Sequence, residues 1–185
     1  MELSLTGRLL VSSPELTDPN FDRSVVLLIA HSEEGALGVV LSRPSAIRVD
    51  EHLPDWATAT AAPAVVHVGG PVSPTAVLAL GVHRPAGPPP VGFEPVVGRI
   101  GVLDLALDAP DVVPDLEGLR VFAGYAGWGD GQLEGEMAVG AWWDVPARDA
   151  DVLTGRPSSL WRTALRRQGG QLAWIANRPE DPTTN

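Results

Sequence analysis

Apolar residues fall along this chain in short blocks separated by turn-forming residues. Leu9-Leu10-Val11 is a brief run closed by Ser12-Ser13-Pro14. Ser24 to His31 is longer, β-branched at its start and too uniformly apolar for a strand with one wet face, which predicts a central strand covered on both sides. Glu33-Glu34-Gly35 supplies a turn, and Leu37 to Ser42 returns as the second strand of a hairpin. Arg43-Pro44 ends that strand, because Pro has no N–H to give a ladder. Residues 45–62 are Ala-, Asp- and Thr-rich around Trp56 and suit a short helix. Val65 to Val68 predicts a third strand ending in Gly69-Gly70-Pro71, and Val77 to His83 a fourth, paired with the third as a hairpin. Residues 84–98, with Pro88-Pro89-Pro90, read as an irregular surface loop, and Ile100 to Leu107 as a further strand. Pro110 and Pro114 weaken any helix between Asp108 and Gly118.

The C-terminal third changes character. Leu119 to Ala123 predicts a strand running into Gly124-Tyr125-Ala126-Gly127-Trp128-Gly129-Asp130-Gly131, where the strand ends in a glycine turn. Asp130 or Gly131 caps a helix over about Gln132 to Trp142, with Leu133, Met137 and Ala141 on one face. Pro157-Ser158-Ser159 starts another through Arg167, with Gly169 as its terminating residue, and Leu172 to Ala176 reads as a last strand. Hairpins mixed with a few helices make the fold class α+β, a mixed, largely antiparallel β core flanked by helices. The expectation is a single compact domain over 1–178 and a flexible tail at 179–185.

Composition narrows the chemistry. The chain has 185 residues, 44% hydrophobic, enough for one core. A net charge of -10 disfavours a nucleic-acid footprint or an anionic membrane surface. Cys is absent, which removes disulfides, thiol nucleophiles and iron–sulfur clusters. All 13 cations are Arg, so there is no Walker lysine, Schiff-base lysine or Ser–Lys dyad. No basic leader precedes an apolar stretch and no run approaches the ~18 residues of a membrane helix, so the expected location is cytoplasmic.

Three local constellations carry possible chemistry. In the glycine segment, backbone N–H groups at a helix start suit an anion, but Asp130, Glu134 and Glu136 already stand at that end, so a turn with an internal cap is the first reading and a ligand contact through Trp128 the second. Its spacing fails as a dinucleotide fingerprint, since position 132 is Gln. Asp18-Pro19-Asn20-Phe21-Asp22-Arg23-Ser24 offers an acid, an amide, a cation and a hydroxyl; the plain reading is a turn anchored by Phe21. Gly69-Gly70-Pro71 turns a strand sharply, or lets backbone approach a ligand. His31, His52, His67 and His83 lack metal-ligand spacing, so no metal and no cofactor are expected.

Taken in order, Gly7-Arg8-Leu9-Leu10-Val11, Asp18-Pro19-x-Phe21-x-Arg23-Ser24, His31, Gly35-Ala36-x-Gly38-Val39-Val40, Arg43-Pro44, Val68-Gly69-Gly70-Pro71 and Gly124-Tyr125-Ala126-Gly127-Trp128-x-x-Gly131-Gln132-Leu133-Glu134-x-Glu136 resemble the AlgH/YqgE family from about Gly7 to Trp174. The resemblance implies a bacterial cytosolic α+β protein without an established activity, carrying a transcriptional-regulator label. Ser42, where the family has Asn, and the Pro-rich 84–118 region depart from its pattern. The favoured function is a ligand- or protein-binding regulatory module using Asp18, Phe21, Arg23, Ser24, Arg43, Gly69, Gly70, Trp128, Gln132 and Glu136. A second reading is a hydrolase or phosphoryl-handling enzyme with Asp18 or Glu136 as acid/base and Arg23 or Arg43 on an anion. Direct DNA regulation through the Arg162–Arg167 helix is the third, disfavoured by charge. The expected partner is a protein or small molecule, with neither nucleic acid nor membrane.

Overall fold

The computed structural model describes residues 4–179, so all of the expected tail except Pro179 lies outside the described residues. In chain order the elements are β1 (Arg8–Ser12), β2 (Val25–Ser32), β3 (Gly35–Val40), β4 (Pro44–Arg48), α1 (Val49–His52), β5 (Val65–Val68), β6 (Val72–His83), β7 (Phe93–Val97), β8 (Ile100–Leu103), α2 (Ala109–Val112), β9 (Leu116–Trp128), α3 (Gln132–Ala138), β10 (Trp142–Pro146), α4 (Asp149–Leu153), α5 (Leu160–Arg166) and α6 (Gly170–Ala176). The fold is α+β: one curled, mostly antiparallel ten-stranded sheet in which eight strands run in the order β10-β1-β2-β3-β9-β6-β8-β7 and β4 and β5 join off this path, flanked by short helices.

Alternation along β1 and β2 explains their continuous apolar sequence. Leu9, Val11, Val25 and Leu27 join the core beneath α4, α5 and α6, with Trp161 and Leu165. Leu10, Val26 and Leu28 face the other way, into a cluster with Trp128, Leu133 and Trp142. Both faces are therefore covered as far as Leu28, each large side chain contributing about 2 kcal/mol of burial, whereas Ala30 and Ser32 in the second half of β2 are exposed. A third cluster, with Trp56, Leu103, Leu119 and Val121, lies under α1 and α2.

β9 organises the sheet. One edge pairs with β6 over Leu116–Tyr125. The other edge first takes β5 in parallel at Phe122 and Ala123, then β3 antiparallel from Ala126 to Trp128. At this fork three backbones touch. A Cβ on Gly69 would sit 2.2 Å from the Gly124 carbonyl oxygen, and one on Gly70 2.2 Å from the Tyr125 carbonyl. Gly70 (φ 153°) and Gly124 (φ 74°) also occupy conformations that side chains disfavour. Gly69 N–H bonds Ala123 O (2.9 Å), and Val40 N–H bonds Gly69 O (2.8 Å).

Several expectations are corrected. β5 pairs with β4 and β9, not with β6, because Gly69-Gly70-Pro71 crosses the fork instead of making a hairpin turn. Pro44 opens edge strand β4, where a missing N–H costs nothing. The same tolerance places Pro95 in β7, an edge strand within the expected 84–98 loop. β8 stops at Leu103, short of Leu107. Gly124 to Trp128 remain in β9, so the strand ends later than the glycines suggest. Gly140 (φ 79°) follows an α3 that ends at Ala138, and Trp142 begins β10 against β1. Residues 172–176 belong to α6: Leu172, Ile175 and Ala176, at i, i+3 and i+4, pack on the core together.

Arg120 is fully buried within β9 and donates only to backbone carbonyls: Val152 O (3.1 Å), Ala61 O (3.1 Å), Pro63 O (2.9 Å), Ala62 O (3.3 Å) and Thr154 O (2.7 Å). It staples the 61–63 loop and the end of α4 to the sheet, and burial pulls its pKa down to about 10. His67 is buried beside Phe122 (ring centroids 5.9 Å apart). Its Nδ1–H donates to Val65 O (3.2 Å), while Nε2 has no partner. Burial, aided by the charge of Arg120, lowers the His67 pKa to about 4.

Candidate functional site

The sequence candidates gather in three linked places. At the end of β9 the chain turns through Gly129-Asp130, and Gly131 (φ 67°) supplies the left-handed residue ahead of α3. One helical turn on, Glu136 faces back. Its Oε2 accepts the indole N–H groups of Trp128 (3.0 Å) and Trp142 (2.8 Å), and its Oε1 accepts Gln132 Nε2–H (3.1 Å). Gln132 in turn accepts Gly129 N–H (3.1 Å). The Phe21 ring lies 6.1 Å from Trp128 and 5.4 Å from Trp142. Phe21, Trp128, Gln132 and Glu136 thus do come together, but as an internal cap. Trp128 is only 6% exposed, which favours the internal cap over a ligand contact through this ring. The turn exposes Gly129, Asp130 and Gly131 instead.

The second place is the Asp18–Ser24 turn. Asp18 Oδ1 accepts Asn20 N–H (2.9 Å), and Phe21 N–H bonds Asp18 O (3.0 Å). Arg43 clamps the turn from the far side, donating to Pro19 O (2.9 Å) and Asp22 O (3.3 Å). Arg23 adopts a left-handed φ of 48° and lays its guanidinium 5.2 Å from the Trp161 ring centroid. Ser24 is buried, its hydroxyl donating to Phe21 O (2.8 Å). The third place is the fork itself, where Gly69 and Gly70 meet the chain's own backbone. A small cavity of about 60 Å³ joins the last two places, bounded by Asn20, Val40, Arg43, Val68, Gly70 and Pro71. Neither Asp18 nor Glu136 lines it.

Sequence reasoning missed three residues that complete this architecture. Trp142 falls in the expected helix; the Gly140 stop and the apolar pair Trp143-x-Val145 at strand spacing are the available signals. The contact between His31 and Glu134 spans 103 positions and has no local signature. His31 Nδ1 accepts Leu5 N–H (2.9 Å), so Nε2 carries the proton and donates to Glu134 Oε1 (2.6 Å). That hydrogen bond holds the Glu134 pKa below its ordinary value. With both ring nitrogens engaged, His31 has none left for proton transfer, although it borders an open groove of about 400 Å³ with Ile29, Ser32, Gly35 and Leu37. Arg120 was the third. Among the described residues no three His, Asp or Glu side chains converge as metal ligands.

A Glu136-bridged aromatic cap, an Arg43-clamped turn and a glycine fork thus stand on one curled α+β sheet. The AlgH-like family profile matches residues 9–173. A UPF0301 protein of Streptomyces coelicolor is 50% identical, over 98% of this chain and 96% of its own length. A UPF0301 protein of Thermobifida fusca is 46% identical over 99% and 96%. Two solved structures share the fold: a Corynebacterium diphtheriae protein (TM-score 0.90, 30% identity, 96% of this chain and 94% of that one) and the AlgH protein of Pseudomonas aeruginosa (TM-score 0.69, 27% identity, 98% and 100%). The chain belongs to the AlgH-like family. No described helix is long and apolar enough to cross a membrane.

Proposed function

We propose that this chain is a non-catalytic, regulatory binding module that takes a protein or small-molecule ligand on the face formed by the Asp18–Ser24 turn, Arg43 and Gly69-Gly70-Pro71. One observation carries this reading: the polar groups a reaction would recruit already have partners inside the chain. Glu136 receives two indoles and an amide, Arg43 holds two carbonyls, and both His31 nitrogens are bonded. An acid, base or anion holder would have to break such bonds before acting. A binding surface gains from the same bonds, because they fix its shape in advance. Asn20, Val68 and Pro71 are exposed at the rim of the small cavity and present an amide and two apolar groups. We also infer a cytoplasmic location, since a chain without Cys needs no oxidising compartment.

A thermal-shift panel of nucleotides, phosphorylated metabolites and divalent metals tests the assignment. A ligand is expected to raise Tm in the wild type but not in Val68→Trp, which fills the rim, and mass spectrometry is expected to recover it unchanged. Turnover of a stabilising compound would replace this reading with an enzymatic one.

A further inference from the structure

We propose that the α5–α6 hairpin is a second docking surface, separate from the Asp18–Arg43 face, for an acidic peptide segment of a partner protein that sets an apolar side chain against Trp174. The charge is segregated. Between Gly155 and Pro179 the chain holds Arg156, Arg162, Arg166, Arg167 and Arg178 and no Asp or Glu, the next carboxylates in the sequence being Glu180 and Asp181, in a protein of net charge -10. Arg167 is neutralised by Asp151 (2.5 and 2.8 Å). Others gather round the end of α6: Arg162 donates to Ala176 O (2.5 Å), Arg166 Nε–H to Asn177 Oδ1 (3.0 Å), and the Arg178 guanidinium lies 5.3 Å from the Trp174 ring centroid. Arg166 and Arg178 are exposed and form no ion pair among the described residues. Amide and ring contacts orient the Arg166 and Arg178 guanidinium groups without cancelling their charge. Trp174 is 64% exposed, while Leu172 and Ile175 of the same helix pack on the core.

Trp and Arg are the residues that most often anchor protein interfaces, and here both stand together with charge to spare. The alternatives fit less well. A bilayer needs a broad apolar helix face, and that of α6 is already packed inside. A nucleic-acid strand needs cations along a track of phosphates, whereas the chain beyond this hairpin is strongly acidic. A short acidic segment with one apolar side chain matches the arginines and the indole at once.

Fluorescence anisotropy of a fluorescein-labelled Glu/Leu peptide, titrated with the full chain at low salt, tests the proposal. Binding is expected, weakened about tenfold or more in Trp174→Ala and in the double variant Arg166→Glu/Arg178→Glu. It is expected to persist in Trp174→Phe, which keeps a ring, and in Arg48→Glu, an exposed arginine set among Asp50 and Glu51. No anisotropy rise with the wild type overturns the proposal, as does an equal loss in Arg48→Glu. It is overturned too if single-stranded oligothymidylate or phosphatidylserine vesicles bind through Trp174, Arg166 and Arg178 more tightly than the peptide.

Discussion

At the α3 end, Trp128 and Trp142 are buried and both indole N–H groups end on one oxygen of Glu136; at the α5–α6 end, Trp174 stands 64% exposed beside Arg178. The first region is dense in glycine, aromatic and carboxylate residues and holds the chain's most conspicuous motif. The second has no motif at all. Yet the first turns its chemistry inward, and the second leaves an aromatic ring and cations in water. Conspicuous residue types mark places where the backbone is difficult to build, which are not the places where a partner must be met.

The sharpest way to break this contrast is at the fork. Gly70→Ala puts a methyl into the Tyr125 carbonyl at a disfavoured φ, and a loss above about 4 kcal/mol is expected in urea unfolding. Arg120→Met strips five backbone carbonyls of their donor, with an expected cost of about 4 kcal/mol by the same measurement. His67 adds a pH signature. The folded imidazole titrates near 4 and the unfolded near 6.5, so the folded state binds fewer protons between those values. Its contribution is whole above pH 6.5 and falls as pH drops towards 4, by about 1.4 kcal/mol per pH unit. The difference between wild type and His67→Leu across that window, by denaturant titration, isolates it. Glu136→Gln keeps the shape but leaves amide and indole donors facing each other, and is expected to cost about 2 kcal/mol. Smallest of all, Trp174→Ala is expected to move stability by no more than about 0.5 kcal/mol while weakening peptide binding about tenfold or more. A large destabilisation there would make Trp174 a packing residue like Trp128 and dissolve the contrast.

What the sequence made legible follows the range of the interactions. β1, β2, β3 and α5 are visible because their apolar patterns and turn residues are local. The Asp18–Ser24 turn is likewise visible in its Asp-Pro-Asn start, and its structure follows from one side chain bonding backbone two positions on. β4 and β7 are hidden by Pro44 and Pro95, whose tolerance depends on an edge position known only from the finished sheet. α6 was read as a strand because a short apolar run carries either period; its packing on α5 decides between them. The candidate residues were found by type, but their orientation was not. The burial of Trp128 depends on Trp142 and Phe21, which meet it only through tertiary structure.

The central place of β9 has a consequence during synthesis. β3, β5 and β6 all close on β9, and all three precede it in the chain. A nascent polypeptide therefore holds the open edge of β3 without its partner until Trp128 has been added, an interval on the order of ten seconds at ribosomal speed. Through that interval the unpaired edge can meet other nascent chains, and its protection rests on the cell's chaperones. The emergence of the glycine-rich end of β9 gives the open edge of β3 its own strand, while the outer edge of β1 waits for β10, further along the chain.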